Sequence, residues 1–170
     1  MRRPNFQEEK KLWQRGYKRV AGLDEAGRGP LAGPVTAAAV VIQNTKYKIL
    51  NTKLGGINDS KKLSVKKRGE LYKLITKNPF IKWGIGIVSE KVIDKINILE
   101  ATKLAMKKAV AKLKNKPDFL ILDGKMNIDS SIRQKSIIKA DGKVFSCSCA
   151  SILAKVTRDK IMRNFHKKYS

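Results

Sequence analysis

The sequence predicts an α/β fold in which helices cover the faces of a mixed β-sheet. Strand-like apolar runs come early in the chain, and later strand patterns alternate with helical ones. The run 119–122 is apolar at every position, as expected for a strand that is buried on both faces. With 170 residues, 42% of them hydrophobic, the chain is long enough for one domain with a hydrophobic core and too short for two domains of ordinary size.

The first half of the predicted sheet follows from two apolar runs and the turn between them. Residues 19–24 and 35–42 are predicted as buried strands joined through a turn rich in glycine and proline. Gly29 and Gly33 each precede a proline, which disfavours helical geometry in this turn. The turn-forming residues within 46–62 predict a basic loop.

The remaining elements follow from caps and periodicity. Ser64 is predicted as the N-cap of a helix that runs to about residue 77, and alternation over 80–88 predicts a strand with one buried face. Asn97, with Glu100 three residues later, predicts the start of a second helix that ends at about Leu113. The last predicted elements are strands at 119–122 and 136–140 and a terminal helix with the apolar stripe Cys149, Ile152, Leu153, Val156, Met162, Phe165 and Tyr169.

The charge of the chain indicates a phosphate-bearing partner. Lys and Arg number 38 against 14 Asp and Glu, which gives a formal net charge of +24, and residues 1–18 are predicted as a basic N-terminal extension. An anionic membrane is the competing partner. No stretch approaches the roughly 18 apolar residues of a spanning helix, and the N-terminus has no apolar signal core. We therefore expect a soluble, cytoplasmic protein that does not bind a membrane. We also expect it to be a monomer.

Cysteine and histidine content excludes several kinds of catalytic site. Cys147 and Cys149 are predicted as small buried thiols, because a structural zinc needs about four ligands and the chain has only His166 besides. His166 lies in a basic helical pattern that predicts a solvated surface position. Acid-base or metal chemistry is therefore expected from carboxylates.

Acidic residues follow three of the predicted strands. Asp24 and Glu25 end the first, Asp123 follows the run 119–122, and Asp141 follows the predicted strand 136–140. Ligands bind at the carboxyl ends of strands in open α/β sheets, so these acids are expected to share one crevice with Mg²⁺ or Mn²⁺. Asp24 and Glu25 can share a metal cluster only if their strand ends or twists there, since successive side chains point to opposite faces. The alternative is that each acid is an ordinary turn or cap residue.

Two basic motifs are candidates for nucleic-acid contacts. The turn containing Gly27, Arg28 and Gly29 lacks the spacing of a dinucleotide-binding fingerprint. Glycine there permits close approach of a nucleic-acid backbone, while Arg28 and exposed N–H groups bind phosphate or sugar. The second candidate set is Ser60, Lys61 and Lys62, which supply a hydroxyl group and two positive charges for phosphates or, alternatively, are solvated loop residues.

Five segments together resemble the ribonuclease HII family, also called type 2 ribonuclease H, and the resemblance runs from about residue 19 to the end. These segments are 20–35 (VAGLDEAGRGPLAGPV), 58–64 (NDSKKLS), 97–102 (NILEAT), 122–124 (LDG) and 150–159 (ASILAKVTRD). The first and last are long and specific. The resemblance implies a ribonuclease H-like mixed β-sheet flanked by α-helices.

The resemblance also implies an activity and its residues. Family members cut the RNA strand of RNA–DNA hybrids and nick 5′ of ribonucleotides embedded in duplex DNA, leaving 3′-hydroxyl and 5′-phosphate ends by two-metal-ion catalysis. The implied residues are the metal-binding acids Asp24, Glu25, Asp123 and Asp141, the 2′-hydroxyl-reading Gly27, Arg28 and Gly29, and the backbone-contacting Ser60, Lys61 and Lys62. Asp141 is included because Lys139, Ala140 and Asp141 match the Lys-x-Asp segment of the family.

One departure from the family favours a rival interpretation. The usual C-terminal segment, with its sugar-packing tyrosine, is absent after Ser170, and Tyr169 does not align with that tyrosine. The alternative is therefore a non-catalytic or impaired nucleic-acid-binding protein, a truncated pseudoenzyme. Metal-dependent cleavage distinguishes the two, whereas salt-dependent binding is expected of both.

Overall fold

The computed structural model describes residues 3–30, 32–46, 54–57 and 62–169. These residues form one mixed sheet with helices on both faces, as predicted. The helices are α1 (Gln7–Gln14), α2 (Val65–Lys77), α3 (Glu90–Ala111) and α4 (Phe145–Tyr169). The strands are β1 (Val20–Ala26), β2 (Val35–Ile42), β3 (Ile81–Val88), β4 (Phe119–Asp123) and β5 (Arg133–Ile137), and short 3-10 turns lie at Asn44–Lys46 and Ala140–Gly142.

The sheet has the strand order β3-β2-β1-β4-β5. β1 and β2, and β2 and β3, pair antiparallel, whereas β1 and β4, and β4 and β5, pair parallel. In the parallel register Leu23 lies beside Leu122, so the next residues, Asp24 and Asp123, emerge at the same end of two adjacent strands. This register brings together two of the four predicted acids.

The core has one layer on each face of the sheet. Alternate residues of β2 contribute to opposite layers: Ala38 and Val40 pack with α2 and α4, whereas Ala37 and Ala39 pack with α3. α3 approaches β3 so closely that a Cβ on Gly86 would lie 1.9 Å from the carbonyl oxygen of Ala105. The absence of a side chain at Gly86 therefore sets the distance of α3 from the sheet.

The N-terminal segment, predicted only as a basic extension, contains a helix and contributes to the core. Phe6 and Leu12 are buried. The ring of Phe6 stacks on that of Phe145, with centroids 4.3 Å apart. Asn5 forms backbone hydrogen bonds to Lys143 and Phe145, both at 3.0 Å. These contacts attach the segment to the start of α4.

The expected strand at 136–140 was wrong in its bounds. β5 runs from Arg133 to Ile137, and Asp141 lies in the 3-10 turn at Ala140–Gly142 instead of at a strand end. Extended structure ends because Lys139 adopts φ +58° and the backbone N–H of Ala140 donates to the Asp123 carboxylate. β5 is a largely polar edge strand, so its periodicity carries little signal in the sequence.

The helix expected to start at Asn97 begins earlier, at Glu90. Asn97 nevertheless interrupts it, with φ +66° and ψ 166°, and its side chain accepts hydrogen bonds from the N–H groups of Leu99 and Glu100. The predicted cap is therefore present, but a further helical segment precedes it. The cap at Ser64 is confirmed: its hydroxyl accepts a hydrogen bond from the N–H of Lys67.

Cys147 and Cys149 are buried free thiols, as predicted. Burial in the core raises the pKa of both, and the raised pKa makes them poor nucleophiles. Within the described ranges, no helix combines the length and the apolar character that crossing a membrane requires.

Candidate metal centre and nucleic-acid interface

Three predicted acids meet at the carboxyl end of β1 and β4. Asp24, Asp123 and Asp141 each offer one carboxylate oxygen, and these three oxygens lie within 4.8 Å of one another. The first two follow paired residues of adjacent parallel strands, and the third reaches them from the 140–142 turn. Segments separated by about a hundred residues in the chain thus form one acidic cluster, named here the carboxylate triad.

Asp24 is the most deeply placed of these groups, with 4% of its surface exposed. Burial raises the pKa of Asp24 well above its usual range, and the nearby charges of Glu25 and Asp123 raise it further. A hydrogen bond from the Ser151 side chain and one from the N–H of Glu25, at 2.8 Å, oppose this shift. Crowded anionic oxygens of this kind favour a bound cation, because a cation removes their mutual repulsion.

Asp123 and Asp141 are held by contacts from the same short stretch of chain. The Asp123 carboxylate accepts the N–H of Ala140. The carbonyl oxygen of Asp141 accepts the hydroxyl of Ser148, in the first turn of α4, and Asp141 is 4% exposed. The start of α4 therefore fixes the turn that presents Asp141.

Glu25 is outside the carboxylate triad. β1 continues to Ala26, so the side chains of Asp24 and Glu25 leave the strand in opposite directions. Glu25 Oε1 lies 3.4 Å from Arg28 Nη1, and only 13% of its side chain is exposed. Its charge still raises the pKa of Asp24, which indicates that it lies near the triad.

The turn after β1 places Gly27, Arg28 and Gly29 beside Asp24. Gly27 has φ +107°, and a Cβ there would lie 2.5 Å from Arg158 Nε and 2.6 Å from the carbonyl oxygen of Pro34. Only glycine fits this position without displacement of the backbone. Arg28 and Gly29 are exposed and are accessible to a ligand.

Arg158, which was not among the predicted site residues, is 6% exposed and holds this turn from α4. Its Nε donates to the carbonyl oxygen of Pro34 at 2.9 Å, and its Nη2 donates to that of Ala32 at 2.8 Å. Arg158 therefore positions the turn and does not bind ligand through these groups. Its signal in the sequence is spacing: Ser151, Lys155 and Arg158 are four and three residues apart and lie on one helix face.

Two cavities approach the triad. One, of about 340 Å³, includes Asp24 and is lined by the 25–30 turn and by the α4 face of Ser151, Lys155 and Arg158. The other, of about 860 Å³, includes Asp141 and is lined by the N-terminal segment, β5 and the connection to α4. Asp24 and Asp141 belong to the same triad, so each cavity borders one of its members.

The predicted loop of Ser60, Lys61 and Lys62 is described only at its end. Ser60 and Lys61 lie outside the described residues. Lys62 lines the larger cavity together with Asp141. Lys62 therefore contributes positive charge next to the acidic cluster.

The donor set of the triad fits Mg²⁺ or Mn²⁺. Its atoms are carboxylate oxygens, which such hard cations prefer, and no thiol or imidazole joins them among the described residues. The buried Asp24 carboxylate next to a second and a third carboxylate is the observation that favours a cation there.

Comparisons with known proteins first identify the fold class of this chain and then its family. The fold is the ribonuclease H-like fold, shared with the crystal structure of the ribonuclease H2 from Pyrococcus horikoshii OT3 at a TM-score of 0.76. That match is 29% identical and covers 89% of this chain and 77% of the other. The family model described as Ribonuclease HII matches residues 21–170. The chain belongs to the ribonuclease HII family, and this confirms the resemblance found in its sequence.

Curated relatives agree with this family. Ribonuclease HII of Acetivibrio thermocellus is 53% identical over 161 residues, and that of Chlamydia caviae is 47% identical over 161 residues. Each match covers 95% of this chain. The chain spans 60% of the length of the first relative and 73% of the second.

Proposed function

We propose that the protein is a metal-dependent endonuclease that hydrolyses the RNA strand of RNA–DNA hybrids and nicks 5′ of single ribonucleotides embedded in duplex DNA. The products are a 3′-hydroxyl and a 5′-phosphate end. The observation that carries the proposal is the carboxylate triad, whose oxygens lie within 4.8 Å of one another and whose members border two cavities of a strongly basic chain of this family.

The acids Asp24, Asp123 and Asp141, whose oxygens meet, are proposed to hold Mg²⁺ or Mn²⁺. Glu25 lies outside the triad, but its charge raises the pKa of Asp24, and it is proposed as a fourth ligand that would have to turn towards the triad to reach a bound ion. Bound as a pair, such ions activate a water molecule and stabilise the leaving oxygen of a phosphodiester. The protein contributes the placement: β1 and β4 fix Asp24 and Asp123, and the turn packed on α4 fixes Asp141. Because Asp24 is buried, its carboxylate is held in one position and partly shielded from water.

The turn at residues 27–29 is proposed to distinguish RNA from DNA. Gly27 lets the backbone approach α4, and Arg158 holds the following carbonyl groups. The exposed N–H groups of this turn and the guanidinium of Arg28 are next to Asp24, where the ribose on the 3′ side of the scissile phosphate would lie. A 2′-hydroxyl both donates and accepts hydrogen bonds, which a deoxyribose cannot do at that position.

The loop of Ser60, Lys61 and Lys62 is proposed to contact the phosphate backbone. Lys62 supports this proposal, because it lines the same cavity as Asp141. A lysine there adds a point charge for phosphate without fixing the base sequence. The cytoplasmic location and the monomeric state stay predictions.

The test is cleavage of three labelled duplexes that differ only in their sugars: an RNA–DNA hybrid, a DNA duplex with one ribonucleotide, and an all-DNA duplex. With Mg²⁺ or Mn²⁺ we expect cleavage of the first two only, with the nick 5′ of the single ribonucleotide and ends that a polymerase can extend. Asp123→Asn is expected to abolish turnover and to leave duplex binding nearly intact. Binding without cleavage in either metal would reject the nuclease and support the non-catalytic alternative.

A further inference from the structure

We propose that the larger cavity is a second phosphate-binding groove, which holds the duplex on the side of the triad opposite to the 27–29 turn. This inference rests on the proposed function and extends it to Arg3, Lys135 and Lys143, to which neither the sequence nor the resemblance gave an individual role. The groove is defined by its lining side chains: Arg3, Asn5, Gln7, Glu8, Lys62, Lys135, Ile137, Lys139, Asp141 and Lys143.

The position of the groove indicates what it binds. Asp141 lines the groove and Asp24 lines the smaller cavity, and both belong to the same 4.8 Å triad. In the sheet, β4 with Asp123 lies between β1, which leads into the 27–29 turn, and β5, which lines the groove. A duplex whose scissile phosphate sits on the triad, with its ribose at the 27–29 turn, must continue away from that turn. Since β5 is the edge strand beyond β4, the groove lies in that direction.

The charge of the groove complements a sugar-phosphate backbone. Five cationic side chains line it, against the two carboxylates of Glu8 and Asp141. Arg3, Lys139 and Lys143 are exposed, so they can meet phosphate without displacing packed side chains. Lys143 also lines the groove, and its Nζ donates to the carbonyl oxygen of Ile138 at 2.8 Å. A volume of about 860 Å³ accommodates several phosphate and sugar groups.

Glu8 reduces the positive charge of this groove. Its carboxylate pairs with Lys135 and, at 2.8 Å, with Lys11. Hydrogen bonds from these two lysines lower the pKa of Glu8, so it remains ionised over the neutral range. Removing this charge is therefore expected to free Lys135 for phosphate and to strengthen duplex binding. This effect is the opposite of the one expected when a cationic side chain of the groove is removed.

The groove wall formed by residues 3–8 lies outside the 21–170 range of the family match. Backbone hydrogen bonds from Asn5 to Lys143 and from Phe145 to Asn5 fix this wall against the segment that carries Asp141. The N-terminal segment is thus assigned a function: it completes a nucleic-acid interface on one side of the metal centre.

The experiment measures affinity for a fluorescent duplex with one ribonucleotide, in chelator to prevent cleavage, over a series of salt concentrations. The double variant Arg3→Gln, Lys143→Gln is compared with Lys77→Gln, Lys82→Gln. The control lysines are exposed near the amino end of β3, at the opposite edge of the sheet, and Lys82 also donates to a backbone carbonyl, at 2.9 Å. Both pairs remove two charges.

We expect the groove variant to make the slope of log K against log salt shallower by about 1.8, since each lost phosphate contact removes about 0.9. The control variant is expected to follow the unmodified protein, and Glu8→Gln is expected to bind more tightly at low salt. In cleavage assays the groove variant should raise KM with little change in kcat, because the groove binds phosphates away from the reacting atoms.

A second arm uses duplexes truncated on one side of the ribonucleotide. The effect of the groove variant should disappear for one truncation and persist for the other, because the groove lies on one side of the triad. Equal slopes for the groove and control variants, or loss of the effect with both truncations, would overturn the inference. Absence of hybrid binding and cleavage by the unmodified protein would instead refute the proposed function.

Discussion

The carboxylate triad has two parts that are built in different ways. Asp24 and Asp123 follow adjacent parallel strands in the centre of the sheet, so the strand register places them together. Asp141 lies in a 3-10 turn, and contacts from α4 and the N-terminal segment hold it there. The strand-borne part depends on local sequence and sheet pairing, whereas the turn-borne part depends on long-range packing. The two parts should therefore respond differently to substitution.

Asp24→Asn has the largest expected effect. We expect activity to fall by about a thousandfold, because metal ions stabilise the transition state by several kcal/mol and each tenfold in rate is about 1.4 kcal/mol. The measurement is single-turnover cleavage of the embedded-ribonucleotide duplex. The control is Asp129→Asn, at a fully exposed acid paired with Lys107. Retention of activity in the Asp24 variant would show that the strand-borne part is not the metal centre.

The same variant is expected to change how stability depends on pH. Burial, with the charges of Glu25 and Asp123, raises the pKa of Asp24 in the folded protein above its value of 3.8 in a free chain. Between these two pKa values the folded state retains a proton that the unfolded chain has released, so the free energy of unfolding falls as pH rises.

Asp24→Asn removes the titrating carboxyl group and with it this decrease in the free energy of unfolding with rising pH. In chelator, thermal unfolding should therefore show the variant gaining stability relative to the unmodified protein as pH is raised from about 4. The same pH dependence in both proteins would contradict the raised pKa.

Gly22→Ala tests the contact between β1, which carries Asp24, and the first turn of α4, which holds the turn of Asp141. A Cβ there would lie 2.4 Å from Ser146 Oγ and 2.5 Å from the backbone N of Cys147, where β1 packs against the first turn of α4. We expect a loss of about 2–3 kcal/mol in the free energy of unfolding, from overpacking against backbone. Gly69→Ala is the control: its Cβ meets nothing within 4 Å on α2, so a gain of about 1 kcal/mol is expected. Chemical denaturation measures both, and equal effects would contradict the close contact.

Glu9→Ala is expected to act on the turn-borne part. Glu9 is buried on α1, and its Oε1 accepts the N–H and the hydroxyl of Ser146, at 2.9 and 2.8 Å. Loss of this acceptor leaves two buried donors unpaired, which costs about 1–3 kcal/mol of stability. Because Ser146 and Ser148 share the turn of α4 that holds Asp141, we also expect Mn²⁺ affinity to fall about tenfold.

Titration calorimetry of Mn²⁺ without substrate measures this affinity. Glu9→Gln keeps a hydrogen-bond acceptor for Ser146 and should therefore retain most of the Mn²⁺ affinity. Burial raises the pKa of Glu9 above 4.5, so the stability of the unmodified protein should also fall with rising pH relative to Glu9→Gln. If Glu9→Ala lowers stability but leaves Mn²⁺ affinity unchanged, α1 supports the core and has no influence on Asp141.

Ser64→Ala should have the smallest effect. The Ser64 hydroxyl accepts the N–H of Lys67 at 3.2 Å at the start of α2, and this cap contacts neither part of the triad. We expect a loss of about 1 kcal/mol in stability and no change in cleavage rate or metal affinity. A change in either activity measurement would show that α2 is coupled to the metal centre.

The sequence by itself determined the parts that depend on near neighbours. The apolar runs of β1, β2 and β4 and the caps at Ser64 and Asn97 are local patterns that have counterparts in the fold. The strand predicted over 80–88 is present as β3, but the expected alternation of burial was wrong at Trp83 and Ile87, which are exposed. The adjacency of Asp24 and Asp123 was also predictable, because acids that follow buried parallel strands emerge at one edge of a sheet.

Tertiary structure alone decided the rest. The hydrogen bonds from Ser148 to Asp141, from Arg158 to Pro34 and Ala32, and from Ser146 to Glu9 all come from α4, and those of Arg158 and Ser146 join residues more than a hundred positions apart in the chain. Periodicity shows which residues share a helix face but does not identify the partners of such contacts, since their free energy comes from packing and hydrogen bonds that exist only after the chain has folded. The basic composition predicted a polyanionic partner, but only the packed N-terminal segment and β5 place part of that charge in a cavity that borders the carboxylate triad.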